Sequence, residues 1–581
     1  MAVASAAGPP LRRGGRRIGL LYAGLALLLV VGLLPALRPP RPPVPPVAAY
    51  APEANQQLKT PPPEQSSTNG KGQNSNGSAG QPGGGSGVPT PTPAPATPPP
   101  GVPTPTPSAG PNDAKAGKAV PKHLDCVGNP PRQIPDTQAP PCISSYDGPA
   151  ATATYPGVTA TQIKVAVPDG QGHEQEWAKY LNDHFEFYGR QIVLQDFGNP
   201  EDSDNPEEKM KLKADDIANK KYFASLQTAD YGGAESIFYN ELARRGVVSI
   251  SQRPDLRTEA DYQRYAPYEW NFLPGIDTDE RAMAATACAQ FPPGHAPAVY
   301  AGPGPRKFGI AYAQYNYGPT PKPDLSALTA GLARCGITVS DADTVGVQYV
   351  DKTQASGYQQ NGPNAVASAQ AAARQLRLDG VTSVLMLTHA AGTEDMMVSA
   401  DNLGWQPEWI VSYHFYNTEW PLNALPPQDQ WSHVAGVDFK NQLVPAQDNQ
   451  WYAAVEEENP GYNWMYAPGE YIQGEYMWEE LLLLASGIQM AGPDLTPASF
   501  EKGLQNTVFP NPSSPYHEAV VGFNGDHTWA KDFALQWYSE TTPGAWGQQS
   551  TWCYVSVRGR WRYTATDEPT GAPLFQAPCI T

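Results

Sequence analysis

Apolar residues recur along this chain in three ways, and each pattern predicts a different kind of structure. Between Ile18 and Leu37 they run almost unbroken, and about 20 residues rising about 1.5 Å each match a hydrocarbon core roughly 30 Å thick. From residue 39 to about residue 120, branched apolar side chains nearly vanish, and the chain there cannot bury enough surface to offset its own entropy. Beyond that point short apolar runs alternate with helical-period patterns, which is the sign of parallel sheets covered by helices.

That third region predicts a definite order of elements. Strand Gln162–Pro168 is followed by a helix through Trp177, Leu181 and Phe185, then strand Gln191–Asp196. A helix holding Met210, Leu212 and Ile217, strand Tyr222–Leu226, helix Glu235–Arg245 and strand Gly246–Ser251 complete a first βαβαβαβ series. A second series opens after Asn271-Phe272-Leu273-Pro274: helix Asp279–Phe291, strand Lys307–Ala313, helix Leu325–Cys335, strand Ile337–Val345. It continues with helix Ala365–Leu378, strand Ser383–Thr388, helix Glu394–Leu403 and strand Trp409–Tyr413. The fold class expected is α/β, with two doubly wound, Rossmann-like lobes behind an N-terminal transmembrane helix and a disordered linker.

The flanks of the first apolar run set its orientation. Arg12, Arg13, Arg16 and Arg17 precede it and only Arg38 and Arg41 follow closely, so the N-terminus is expected inside and the folded region outside the cytoplasm. A cleaved signal peptide is the alternative, with Ala49-Tyr50-Ala51 as a small-x-small site, and it would make the protein secreted. The linker is Gly/Ser/Asn-rich through Gly87 and then Pro/Thr-rich from Val88 to Pro107, a composition that fits a flexible spacer or a glycosylated stalk. The expected divisions are residues 1–17 (cytoplasmic), 18–37 (signal anchor), 38–120 (linker) and 121–157 (disulfide-containing lead-in). They continue with 158–275 and 416–512 (lobe one), 276–415 and 513–545 (lobe two), and 546–581 (C-terminal disulfide-containing extension).

Charge and cysteines narrow the class. A net charge of −18 argues against nucleic acid as a partner. All six cysteines lie beyond the apolar run, where an exported compartment permits pairing, and nearest-neighbour bridges Cys126–Cys142, Cys288–Cys335 and Cys553–Cys579 are the most economical of the available connectivities. No CxxC occurs, so no metal site is expected; the acidic patch Glu201, Asp202, Asp204, Glu207 and Glu208 lacks the glycine and spacing of a calcium loop. HExxH, Walker A and, in the folded region, GxSxG are missing, so no enzyme and no cofactor are expected.

Several stretches carry a resemblance. GVTATQIKVAVPDGQG, NFLPGIDTDERAM, RKFGIAYAQYNYG, DGVTSVLMLTHAAGTEDMMVSADNLGWQPEWIVS and GFNGDHTWAKDFALQWYS follow one another in the order and spacing of the type I periplasmic binding proteins. From about Val158 to Tyr538 the chain resembles the branched-chain amino acid (Leu/Ile/Val-binding) type of ABC-transporter substrate-binding protein. The resemblance implies a ligand held between two lobes that close about a hinge, with hinge segments near Gly275, between Tyr413 and Trp420, and near Pro510–Pro515.

Loops after strands then supply candidate ligand contacts: Asp169, Gly170, Gln171, Gln227, Thr228, Asp230 and Gln252 in lobe one; Tyr315, Tyr317, His389 and His414 in lobe two. Each also has a plain structural role open to it: Asp169 as a helix cap, Tyr315 as an edge cover, the histidines as satisfied strand-end residues. The family's small Ser-containing loop is Gln227-Thr228-Ala229-Asp230-Tyr231 here, and its added charge and aromatic face speak against a simple leucine ligand. The function expected is capture of a small polar or amphipathic, amino acid-like ligand and delivery to an ABC importer whose permease and ATPase are separate chains. The alternative is a ligand-sensing or surface interaction protein without a transport role.

Overall fold

The computed structural model describes residues 124–167, 173–197, 206–226, 235–252, 257–293, 304–314, 322–348, 363–388, 390–412, 428–442, 444, 448–461, 468–511, 518–544, 551–557, 560–570, 574 and 579. The apolar run and the linker lie outside them. Among the described residues no helix is long and apolar enough to cross a membrane.

The strands within this part form two sheets. The first has order β2-β1-β3-β4-β5, from β1 (Gln162–Val167), β2 (Gln191–Asp196), β3 (Ala224–Ser225), β4 (Val248–Ser251) and β5 (Glu269–Asn271), all parallel. Helices Glu174–His184, Pro206–Asn219, Glu235–Arg244 and Glu259–Arg264 connect them. Thr258 opens the last of these with a capping box, its hydroxyl taking the Asp261 N–H while the Asp261 carboxylate returns to the Thr258 N–H.

The second sheet runs β12-β11-β10-β9-β8-β6-β7. Its parallel part is β6 (Phe308–Gln314), β7 (Thr344–Gln348), β8 (Ser383–Leu387), β9 (Glu408–Val411) and β10 (Val434–Asp438). An antiparallel edge follows, β11 (Phe533–Ser539) and β12 (Thr551–Val555), with β13 (Arg562–Tyr563) pairing on β11.

Alternation along the strands explains why both sheets need cover on two faces. In β1, Ile163, Val165 and Val167 face the central core, while Ala166 faces a second cluster with Met210, Ile217, Phe238 and Leu242. In lobe two, Ile310, Leu385 and Ile410 face inward, and Ala311, Val384, Met386 and Trp409 pack under the helices Pro363–Leu378 and Ala390–Asn402. Strands buried on both faces read as continuous apolar runs, and this is why they stand out in the sequence. Helix Pro468–Ala491 lies against β4 and helix Glu174–His184, and its Leu481, Leu482, Leu483 and Leu484 are all fully buried. Each contributes about 1.5–3 kcal/mol of apolar transfer.

Three expectations change. Strand β10 keeps the chain in lobe two through Asp438, so the return to lobe one begins at Phe439, not between Tyr413 and Trp420, and the boundary expected at 415/416 moves accordingly. The strand expected at Ile337–Val345 starts only at Thr344, because Ser340 accepts the Asp343 N–H and turns Asp341–Asp343 into a 3-10 helix. The segment 546–581 is no appended extension: β12 and β13 are built into the second sheet. The three disulfides are Cys126–Cys142, Cys288–Cys335 and Cys553–Cys579, with Cα–Cα distances of 5.6, 5.7 and 4.6 Å.

Candidate ligand cleft between the lobes

Three crossings join the lobes. The first leaves β5 and enters helix Ile276–Gln290; the second leaves β10 and reaches helix Gln450–Glu458; the third runs from helix Pro497–Asn506 to β11. The first therefore departs from the carboxyl edge of sheet one and arrives at a helix N-terminus, and Asp279 in that helix's first turns bonds Ser412 at the carboxyl end of β9. The second departs from the carboxyl end of β10, and Asn441 just beyond it donates to Glu479 (2.8 Å), which accepts from Gln252 at the carboxyl end of β4. Both links bring the carboxyl edges of the two sheets to the same crossings, where α/β sheets place their ligands.

The floor of this cleft is polar and buried. Gln252 is held by Glu479, and Ser251 beside it accepts the Tyr239 hydroxyl at 3.1 Å. Asn441 also accepts the Ala519 N–H (2.8 Å) and the Gln138 amide (2.9 Å), tying the second crossing to the third and to the lead-in. Glu259 does the same for the first and third crossings, accepting Gly275 N–H and the Thr528 hydroxyl, each at 2.8 Å. The first and third crossings also exchange backbone bonds, Asn271 N–H to His527 and Ala530 N–H to Phe272.

Burial dominates the electrostatics. It pushes Asp279 up to about 7 against the Ser412 bond, and Glu280 up to about 8 against the Leu328 N–H, with Asp279, Asp324 and Asp277 adding repulsion. Glu259 is raised for the same reason, opposed by its bonds to Gly275 and Thr528. Asp279 and Glu280, buried in lobe two, thus hold their protons near neutrality, and in the core of lobe one the Trp177 indole donates to the Trp451 carbonyl at 3.0 Å. The polar groups at the crossings are of the kind that hydrogen-bond a small molecule.

Of the expected contact residues, Gln252 is placed at a strand's carboxyl end with its amide nitrogen engaged by Glu479. Asp169, Gly170, Gln171, Gln227, Thr228, Asp230, Tyr315, Tyr317, His389 and His414 lie outside the described residues. In chain order, they come directly after β1, β3, β6, β8 and β9. Glu479, Asn441, Asp279 and Ser412 were not legible beforehand. Asp279 reads in sequence as an ordinary acidic first turn, and the Gln138–Asn441 pair spans 303 residues.

No protein-family model matches the chain, and no curated protein does. Among solved structures it is similar to a fatty acid ABC transporter substrate-binding protein from Thermomonospora curvata (12% identity, 73% of this chain, 98% of that one, TM-score 0.46). It is similar to a substrate-binding protein of Desulfitobacterium hafniense in complex with Leu (16%, 69%, 98%, TM-score 0.40). A solute-binding protein from R. palustris in complex with 4-hydroxybenzoate matches at 12%, over 70% and 98% of the two chains, with TM-score 0.44. The chain's own topology is α/β, two doubly wound lobes joined by three crossings.

Proposed function

We propose that the two lobes form an extracytoplasmic solute-binding protein that takes up one small amphipathic ligand and delivers it to an ABC importer, with permease and ATPase as separate chains. The observation that carries this is the Gln252–Glu479–Asn441 link between the carboxyl ends of β4 and β10, beside a first crossing that leaves the carboxyl edge of sheet one and enters the helix whose Asp279 bonds Ser412 at the carboxyl end of β9. Tethering by Ile18–Leu37 and the linker would keep the domain near its permease and raise its effective concentration there.

Native mass spectrometry of the full chain, purified without denaturation, tests the proposal. The expected result is one retained small molecule per chain, whose removal lowers the melting temperature and whose return restores it. Leucine, 4-hydroxybenzoate and a fatty acid serve as first probes. A chain that arrives empty and shows no thermal shift with any of a broad panel of amino acids, aromatic carboxylates and fatty acids would favour a surface interaction protein instead.

A further inference from the structure

Two chain segments outside the paired lobe cores converge on the crossings. The lead-in, closed by Cys126–Cys142, is seated on lobe one: Gln133 donates to the His184 carbonyl (2.8 Å) and accepts from Gln489 (3.1 Å), and Asp136 accepts the Trp478 indole (2.9 Å). From that seat Arg132 reaches the third crossing, donating to the Pro510 (3.2 Å) and Asn511 (3.1 Å) carbonyls. Gln138 reaches both later crossings, through Asn441 and the Ala519 carbonyl.

The C-terminal segment, closed by Cys553–Cys579, is seated on lobe two through β12 and β13. Its Arg562 is only 7% exposed and donates to the Asp532 carboxylate (2.8 Å) and to the carbonyls of Lys440 (3.0 Å), Phe439 (3.4 Å) and Asp532 (3.2 Å). The same Asp532 carboxylate accepts the Val520 N–H at 3.0 Å. Both guanidinium groups also pull on one carboxyl of the third crossing, Glu518, which burial pushes up to about 7.

We propose that these two disulfide-closed terminal segments splint the hinge, each anchored on one lobe and bonded to the second and third crossings, so that the lobes keep one arrangement without ligand. A hinge rotation concentrates its dihedral change in a few crossing residues. Here those residues have their carbonyls held by Arg132 and Arg562 and their amides by Asn441 and Asp532, so a bend must break several charge-assisted hydrogen bonds at once. The inference rests on the two-lobe architecture and not on transport, and its test requires no ligand.

Spin labels introduced by non-cysteine chemistry at Leu212 on lobe one (59% exposed) and Leu378 on lobe two (76% exposed) would report the inter-lobe distance in the full chain. Native protein should give one narrow distribution. The Arg132→Ala/Arg562→Ala double variant should broaden it by several ångströms while near-ultraviolet dichroism stays native. Should the double variant fail to fold, Gln138→Ala removes only the link to Asn441 and Ala519 and should broaden the distribution to a lesser degree. A broad distribution in the native chain, or an unchanged narrow one in a folded variant, would overturn the splint.

Discussion

The two lobes start on one plan and are finished differently. Lobe one draws its five strands from a single stretch, Gln162–Asn271, and its late additions are helices: Gln450–Glu458, Pro468–Ala491 and Pro497–Asn506. Lobe two takes its late additions as strands, β11 to β13, laid antiparallel on a parallel sheet. Helices can be added to a sheet face without disturbing the strand ladder. Strands extend the ladder itself, so the order and register of lobe two depend on residues from the chain's far end.

The sharpest way to break this difference is at the seam where parallel meets antiparallel. Gly436 in β10 is paired with Val411 on one side and Gln536 on the other, and a Cβ there would lie 1.9 Å from the Val411 carbonyl oxygen. Gly436→Ala should cost about 4 kcal/mol. Hydrogen exchange resolved by lobe should show protection lost first in β9 to β11, and equal loss in sheet one would mean that the lobes unfold as one unit.

Opening the lead-in bridge is the next largest change. With a sequence separation of 16, replacing Cys126 and Cys142 by Ser should lower unfolding free energy by about 3 kcal/mol. Thermal denaturation would read it, and a loss below about 0.5 kcal/mol would mean that the contacts of Arg132 and Gln138 hold the loop unaided.

pH separates the lobes by a smaller margin. Asp279 and Glu280 in lobe two, at about 7 and 8, and Glu518 in the third crossing, at about 7, retain protons that the unfolded chain releases near pH 4 to 5. The native state therefore binds more protons than the unfolded one, and stability must fall as pH rises through this interval. His433, lowered by burial to about 4, acts oppositely and raises stability from about pH 4 to 6.5. Above that only the carboxyls count, and urea midpoints should show a decline on the order of 2 kcal/mol between pH 6.5 and 8. Asp279→Asn with Glu280→Gln should flatten most of it; an unchanged slope would place the titration elsewhere.

The smallest expected effect is local to lobe one. Thr258→Ala removes the capping box of Glu259–Arg264 and should cost about 1 kcal/mol, read by urea denaturation, with Thr258→Ser restoring most of it.

Much of the fold was legible because two-sided burial writes itself into strands: β2 is Gln191–Asp196 as expected, and β8 differs from expectation by a single residue. Strand β10 was not, since Val-Ala-Gly-Val-Asp is short, carries a glycine, and follows directly on the helix Gln428–Trp431. Missing it displaced the second crossing. The disulfides follow the nearest-neighbour order because each closes a local loop. The hinge-side network was hidden for the opposite reason: Arg132 and Pro510 stand 378 residues apart and Arg562 and Lys440 122, and no periodicity marks such pairs. At the site, chain order located the candidate loops, while the groups that fix the floor, Glu479 and Asn441, sit in a helix and a crossing that strand-end reasoning does not reach.

The Cys126–Cys142 bridge has a mechanical consequence as well. The linker precedes it in sequence, and tension arriving from the N-terminal side enters at Cys126, passes through the sulfurs and leaves at Cys142 toward lobe one. Arg132, Gln133, Asp136 and Gln138 all lie on the bypassed arc. The bridge is a load shunt: a pull from the N-terminal side is carried around the contacts by which Arg132 and Gln138 grip the crossings, so tension on the chain before Cys126 does not loosen that joint.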